Sequence, residues 1–158
     1  MIYLKVIKGR IAVNMEARVV NKPQFLDEAF SLLKTSKLPY QDIKLDKNLF
    51  VSYHDEDHYL IGFGGLEFYS SYALLRSVAV KEELRGKAIG TSIVNDLLDR
   101  AKTNSVKEVY LLTETAYDFF SKRGFVEIWR ENVPGEVKAS SEFTSVCPVS
   151  AACMVYRF

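Results

Sequence analysis

The segment with the clearest chemical content is Val78-Ala79-Val80-Lys81-Glu82-Glu83-Leu84-Arg85-Gly86-Lys87-Ala88-Ile89-Gly90. An apolar, strand-like run leads into a short basic loop with glycines, and the loop leads into a helix pattern. The first amides of a helix lack intrahelical acceptors, so a helix start attracts anions. Arg85 and Lys87 add positive charge, and Gly86 and Gly90 let a ligand come near the main chain. A pyrophosphate suits this arrangement. An ordinary strand-to-helix turn with solvated basic side chains would show the same residues. The loop lacks the GKS or GKT ending of a Walker loop and is not a GxGxxG dinucleotide fingerprint.

Other residues could do chemistry nearby. Glu67 lies near the end of a strand beside the one that feeds the loop. Partial burial would raise its pKa into the range useful to a general base. It also fits a solvated edge position, and Glu114, after a later strand, is the second choice. Arg76 interrupts an apolar strand. Facing a cleft, its planar fork could hold a carboxylate; facing away, it would be a surface residue. Thr113 and Thr115 could give hydroxyls to a substrate or serve only as helix caps. Cys147 has no evident base and no CxxC partner, and it reads as a small buried hydrophobe. His54 and His58 flank an acidic turn and read as surface residues, so no metal site is expected.

These residues need elements to hold them. Asn21-Lys22-Pro23-Gln24 is a helix start, with Asn21 as cap and Pro23 in the first turn. Leu26, Ala29, Phe30 and Leu33 form its apolar stripe. Asn48 to Tyr53 and Tyr59 to Phe68 read as a hairpin around the polar turn at 54–58. Gly62, Gly64 and Gly65 in the second strand imply a close neighbour or a bend. Tyr72 to Val80 is the next strand. Its apolar residues Leu75 and Val78 are three apart, out of phase with a period of two, and one bulge between them repairs the phase. Ile89 to Thr103 is the strongest helix, with Ile89, Ile93, Val94, Leu97, Leu98 and Ala101 on one face and Asp96 among the polar residues opposite. Val109 to Leu112 is a buried strand. Thr115-Ala116-Tyr117-Asp118 has capping-box form and opens a short helix, Phe125 to Arg130 is a strand, and 151–157 adds the last one. Ser140 to Ser150 reads as a loop near the open side of the sheet. The order predicts an α+β fold with a central mixed sheet.

Composition sets outer bounds. The 158 residues suit one domain, with 1–16 as an N-terminal extension or extra strand. The 21 basic and 20 acidic side chains nearly cancel, so nothing points to nucleic acid or a membrane surface. The first 22 residues carry five basic side chains and one acid without the form of a secretory signal. Two cysteines cannot build a disulfide framework or a full zinc cage. A cytoplasmic setting follows as the default. Unclosed sheet edges predict a homodimer.

Arg85-x-x-Ala88-x-Gly90, after Val78-Ala79-Val80, resembles the coenzyme A pyrophosphate loop of the GCN5-related N-acetyltransferase (GNAT) family. The likeness extends to Thr115 through Phe125, similar to that family's late helix and following strand, and covers most of Phe50 to Trp129. Gly65-Leu66-Glu67-Phe68, Leu74-Leu75-Arg76-Ser77-Val78-Ala79-Val80, Leu111-Leu112-Thr113-Glu114-Thr115-Ala116 and Ser141-Glu142-Phe143-Thr144-Ser145-Val146-Cys147-Pro148 resemble the arsenic-resistance-operon acetyltransferase-like subgroup. The resemblance implies a three-layer fold whose central mixed sheet is partly splayed and flanked by helices. It implies acetyl transfer from acetyl-CoA to the amine of a small molecule, which Arg76 marks as amino-acid-like. A non-catalytic acyl-CoA-binding or regulatory protein and a protein N-acetyltransferase are the alternatives. It also implies that Val80 pairs with the pantetheine arm and that the Val78 amide faces the developing oxyanion. Arg85, Gly86, Lys87, Ala88, Ile89 and Gly90 then take the pyrophosphate, with Phe119 and Lys122 beside the cofactor, and Arg76, Thr113 and Thr115 on the substrate. The chain departs from the family at two places. Ala88 stands where glycine is usual, and alanine suits a helical position. Phe120 stands where a proton-donating tyrosine is common.

Overall fold

The computed structural model describes residues 2–8 and 11–158, with side chains from Asn14 onward. Strands β1 (Ile2–Lys8) and β2 (Ile11–Val19) form an antiparallel pair. The N-terminal extension thus supplies two strands to the sheet. After a 3-10 turn at Pro23–Leu26 come α1 (Asp27–Thr35), β3 (Asn48–His54), β4 (Leu60–Tyr69) and β5 (Tyr72–Val80). Then follow α2 (Ile89–Thr103), β6 (Glu108–Thr113), α3 (Tyr117–Ser121), β7 (Val126–Glu127), α4 (Gly135–Lys138) and β8 (Ala152–Arg157). The strands form one mixed sheet in the order β1-β2-β3-β4-β5-β6-β8-β7, with β5 and β6 the parallel pair. The fold is the expected α+β, three-layer type. Strand β7 is shorter than expected, because its pairing with β8 stops after two residues.

Helix α2 lies on one face of the sheet. Its Ile89, Ile93, Val94, Leu97 and Ala101 pack with Tyr53, Leu66, Leu75, Val109 and Leu111. On the other face α1 sends Ala29, Leu32 and Leu33 against Phe50, Leu60, Phe63 and Ala79. A third apolar group joins Leu74, Tyr110, Cys153 and Val155 to Val133 and Val137 near α4. The β4 glycines make the contact between layers possible. A Cβ on Gly62 would lie 2.4 Å from Ile93 Cδ1, and one on Gly64 would lie 2.7 Å from Leu97 Cδ1. On Gly65 it would meet the fully buried Phe50 ring at 2.3 Å.

Several local expectations are corrected by the structure. Asn21 does not cap: Lys22 holds that position without a side-chain cap, and Pro23 takes the first turn as expected. The capping box at Thr115 does not form either. Ala116 is the cap residue of α3, and its N–H donates to Thr113 Oγ1 at 3.0 Å. Asp96 is buried rather than solvated, because the Tyr53 hydroxyl donates to its Oδ2 at 2.8 Å and Arg100 pairs with it. His54 is buried, not on the surface, and its Nδ1 has no hydrogen-bond partner. His58 is exposed.

The contact at Gly65 yields a test. Gly65→Ala should destabilise the fold by about 1–3 kcal/mol, the usual range for overpacking a filled core. Gly135→Ala, where a Cβ meets nothing within 4 Å, is the control. Urea unfolding would check the pair, and equal midpoints for the two variants would contradict this packing.

Candidate active site

The site is built around a break in β5. Its register with β4 runs Leu75↔Leu66 and Arg76↔Gly65, then resumes at Ala79↔Phe63. The extra residue on β5 is a bulge, and Ser77 takes a left-handed φ of 59°. Leu75, Val78 and Val80 consequently all pack on the α2 side, as the phase break in the sequence predicts. Just before the bulge β5 also leaves its other neighbour. It pairs with β6 only from Tyr72 to Leu74, while β6 continues along β8 to Thr113. Two parallel strands therefore part above Leu74, and Val78 and Val80 lie on the parted side. Both are partly exposed.

The basic loop starts where β5 ends. Arg85, Gly86 and Lys87 are exposed at the start of α2. Gly86 has a φ of +76°, and a Cβ there would meet nothing within 4 Å. Ala88 is the cap residue of α2 with φ 62° and ψ 12°, so it is left-handed. This corrects the expectation that alanine sits there in helical geometry; the backbone keeps the shape glycine would take, at a cost of about 1–2 kcal/mol. Arg85 Nε donates to the Val80 carbonyl at 3.2 Å. Gly90 faces the Phe119 ring, whose Cζ would be 3.3 Å from an added Cβ. Arg123 holds that ring: its guanidinium stacks 3.6 Å from the ring centre and donates to the Phe119 carbonyl and Thr91 Oγ1. Sequence reasoning passed over Arg123. Lys122 is exposed one residue earlier.

Next to the bulge, Arg76 points into the face that carries α1 and α4, with its side chain fully buried. Its fork grips Asp42, Nη1 to Oδ2 at 2.6 Å and Nη2 to Oδ1 at 2.8 Å. Nη1 also donates to Glu67 Oε1 at 2.7 Å, and Nε donates to Ser77 Oγ at 3.1 Å. Glu142 Oε1 lies 3.4 Å from Nε. Arg76 is thus neither a surface residue nor an open fork, because three carboxylates of the same chain already surround it. Burial works to lower its pKa, and Asp42, Glu142 and Glu67 together reverse this and hold it charged. For Asp42, burial pushes the carboxyl up, but hydrogen bonds from Arg76 and Ser141 outweigh it and hold it below its usual range.

Glu67 is buried, and both its oxygens are committed: Oε2 accepts the Tyr69 hydroxyl at 2.6 Å. It is therefore not the solvated edge glutamate that the strand position also allowed. The Cys147 thiol donates to Glu142 Oε2 at 3.4 Å, and burial, then the Glu142 charge, pushes it up to about 12. Such a thiol is not a nucleophile at neutral pH. Sequence reasoning missed Asp42, Tyr69, Ser141 and Glu142 as members of one cluster. Thr113 is occupied at the α3 start, while Thr115 and Glu114 are exposed. Phe120 is buried between Phe119 and Phe125, with ring centres at 5.0 and 5.5 Å.

Comparison with known proteins gives the family. The model of the acetyltransferase (GNAT) family matches residues 18–125. The chain belongs to that family. An uncharacterised N-acetyltransferase of Chlorobaculum tepidum is 34% identical over 60% of this chain and 59% of its own length. An amino-acid acetyltransferase of Mycobacterium tuberculosis is 33% identical over 60% of this chain and 61% of its own. The chain thus spans about three fifths of the curated relatives it matches. A Mycobacterium tuberculosis protein solved in complex with CoA superposes with a TM-score of 0.68 at 25% identity, covering 89% of this chain and 99% of that one. Acetyl-CoA is the family's acetyl donor, and the residues present fit it. The loop offers exposed cations, a helix start and open space over Gly86, and β5 offers a strand edge where β6 has left.

The ion cluster predicts a pH-dependent stability. Arg76→Met leaves three carboxylates without their cation, which should cost about 3–5 kcal/mol. Those carboxyls would hold protons more tightly in the folded state than in the unfolded one. The variant's deficit should therefore shrink as pH falls from 8 to 5. Thermal unfolding across that range checks it. A deficit independent of pH would show that the cluster carries no net electrostatic load.

Proposed function

We propose that the chain transfers the acetyl group of acetyl-CoA to the amine of a small, amino-acid-like molecule, by direct attack of the amine on the thioester. The observation that carries this reading is the parting of β5 and β6 beside the bulge at Ser77, with the Arg85–Gly90 loop at the same end of β5. Acetyl-CoA supplies an activated acyl group and a good leaving group. Arg85, Gly86, Lys87, Ala88, Ile89 and Gly90 hold its pyrophosphate through charge and the amides of the α2 start. Phe119, braced by Arg123, and Lys122 border the same loop. Val80 offers its main chain to the pantetheine arm as a strand would, and the Val78 amide donates to the developing oxyanion. Holding both partners at the parted strands supplies proximity and orientation.

A carboxylate of the Arg76 cluster takes the amine proton. Glu67 is the residue the sequence singles out for this. An amino-acid-like substrate would bring its carboxylate to Arg76 by displacing Asp42, the most exposed of the three partners. Thr113 and Thr115 stand at the opening of α3 as further substrate contacts. The relative named as an amino-acid acetyltransferase supports this substrate class. We further infer that the chain belongs with the arsenic-resistance-operon subgroup, works in the cytoplasm, and pairs with a second copy through a sheet edge. A second reading, acyl-CoA binding without catalysis, is favoured by one feature: Phe120, which cannot protonate a departing thiolate, is packed among aromatic rings.

Release of free thiol from acetyl-CoA, followed across a panel of amino acids and their decarboxylated amines, separates the two. Transfer reads out as amine-dependent thiol release, greater for the carboxylated members. Tight acetyl-CoA binding with no thiol release from any amine would favour the second reading. Gly86→Glu should weaken acetyl-CoA binding at least tenfold by calorimetry, whereas Gly86→Asn, which tolerates positive φ, should lose less. Unchanged affinity in a folded Gly86→Glu protein would remove the loop from the site.

A further inference from the structure

The three carboxylates around Arg76 are not equivalent. Asp42 accepts two bonds from the guanidinium and one from Ser141. Glu67 accepts Arg76 on one oxygen and Tyr69 on the other. Glu142 has weaker partners: its Oε1 lies 3.4 Å from Arg76 Nε, which already donates to Ser77, and its Oε2 receives only a thiol at 3.4 Å. It is nonetheless 4% exposed, carried by a single wide π-helical turn at Glu142–Val146. The cluster meets solvent at Asp42 and Cys147, which are only partly buried.

We propose that Glu142 accepts the proton of the attacking amine, with Arg76 and Glu67 as its fixed frame. This rests on the acetyl-transfer reading and assigns within it a residue that the sequence did not single out. The contacts lead to the reacting end of β5: Glu142 touches Arg76 Nε, Nε bonds Ser77, and Ser77 precedes Val78. The neutral amine forms its N–C bond at the acetyl carbon, and an N–H proton passes to the Glu142 carboxylate. The C–S bond breaks, and the departing thiolate takes a proton from solvent while Glu142 releases one to solvent. A general base works best with a pKa near the working pH. Burial raises Glu142 above its ordinary value; Arg76 from β5 and Cys147 from its own loop oppose this, while Asp42 and Glu67 from β4 add to it. Asp42, held below its usual range by Arg76 and Ser141, is the poorer proton acceptor, and both oxygens of Glu67 are already committed to Arg76 and Tyr69.

The sign follows. The reactive form of Glu142 is the carboxylate, present above its raised pKa and lost as pH falls through it. The acid limb of the transfer rate should therefore lie above the ordinary glutamate range.

The test compares Glu142→Gln, Glu142→Asp and Glu67→Gln with wild type, using L-glutamate and n-butylamine as probe amines. Glu142→Gln should lower kcat by about 10²- to 10⁴-fold and abolish the acid limb, with acetyl-CoA affinity unchanged within twofold. Glu142→Asp should recover part of the rate and keep the limb. Glu67→Gln should raise KM more than it lowers kcat. Difference infrared spectroscopy of the carboxyl band gives a reading without turnover. A carboxyl titrating above the ordinary range should persist in Glu67→Gln and vanish in Glu142→Gln. Wild-type turnover that survives in Glu142→Gln, or a high-titrating carboxyl that persists in it, overturns the assignment while leaving acetyl transfer intact. A wild type that binds acetyl-CoA but acetylates neither probe nor any member of the amine panel overturns the transfer reading and this role with it.

Discussion

A guanidinium buried in a β-sheet cannot be left without counter-charge. Taking an unpaired ion out of water costs several kcal/mol, comparable with the whole stability of a small domain. Arg76 has no exposed side-chain surface, so its position dictates what surrounds it. The loop between α1 and β3 must bring Asp42, β4 must bring Glu67, and the turn before β8 must bring Glu142. One buried charge thereby ties two loops to the strand that carries the bulge. Ser141 and Asp42 bond directly across the same junction. Apolar packing of Tyr40, Ile43 and Leu45 from one loop and Phe143 from the other adds to this tie.

The bulge gives the cluster its place. With the extra residue at Ser77, Leu75 and Val78 can both face α2 while Arg76 faces the opposite layer. The same irregularity coincides with the parting of β5 and β6. One stretch of β5 thus combines a polar group turned inward and a strand edge left by β6, and it leads into the basic start of α2. Gly62 and Gly64 of β4 are part of the same design, because a side chain at either would collide with Ile93 or Leu97 of α2, which covers the bulged strand.

Much of this was legible in the residues. The misphased Leu75 and Val78 announced the bulge, the alternation and periodicity announced the strands and α2, and Arg85 to Gly90 announced a basic turn into that helix. What escaped were pairings set by tertiary structure. Asp42 and Arg76 are 34 residues apart, and Ser141 and Asp42 are 99 apart. No local spacing signals such contacts. Helix starts were misread for a related reason: Asn21 and Thr115 have the right side chains to cap, but the chain enters α1 and α3 by other routes. Ala88 shows the limit of propensity, since its good helix-forming character says nothing about a left-handed position forced by the turn that precedes α2. His54 and Asp96 look like surface residues by type and are buried by the layers above them.

The central claim is that the parted edge of β5 and the start of α2 together receive acetyl-CoA. Amide hydrogen exchange with and without acetyl-CoA tests this most directly, because it reports on main-chain groups whether or not any amine is found to react. The account predicts slowed exchange at Val78, Val80 and the amides from Gly86 to Gly90, with the β1–β2 hairpin unaffected. Saturating acetyl-CoA that leaves those amides unchanged while protecting another surface would contradict it.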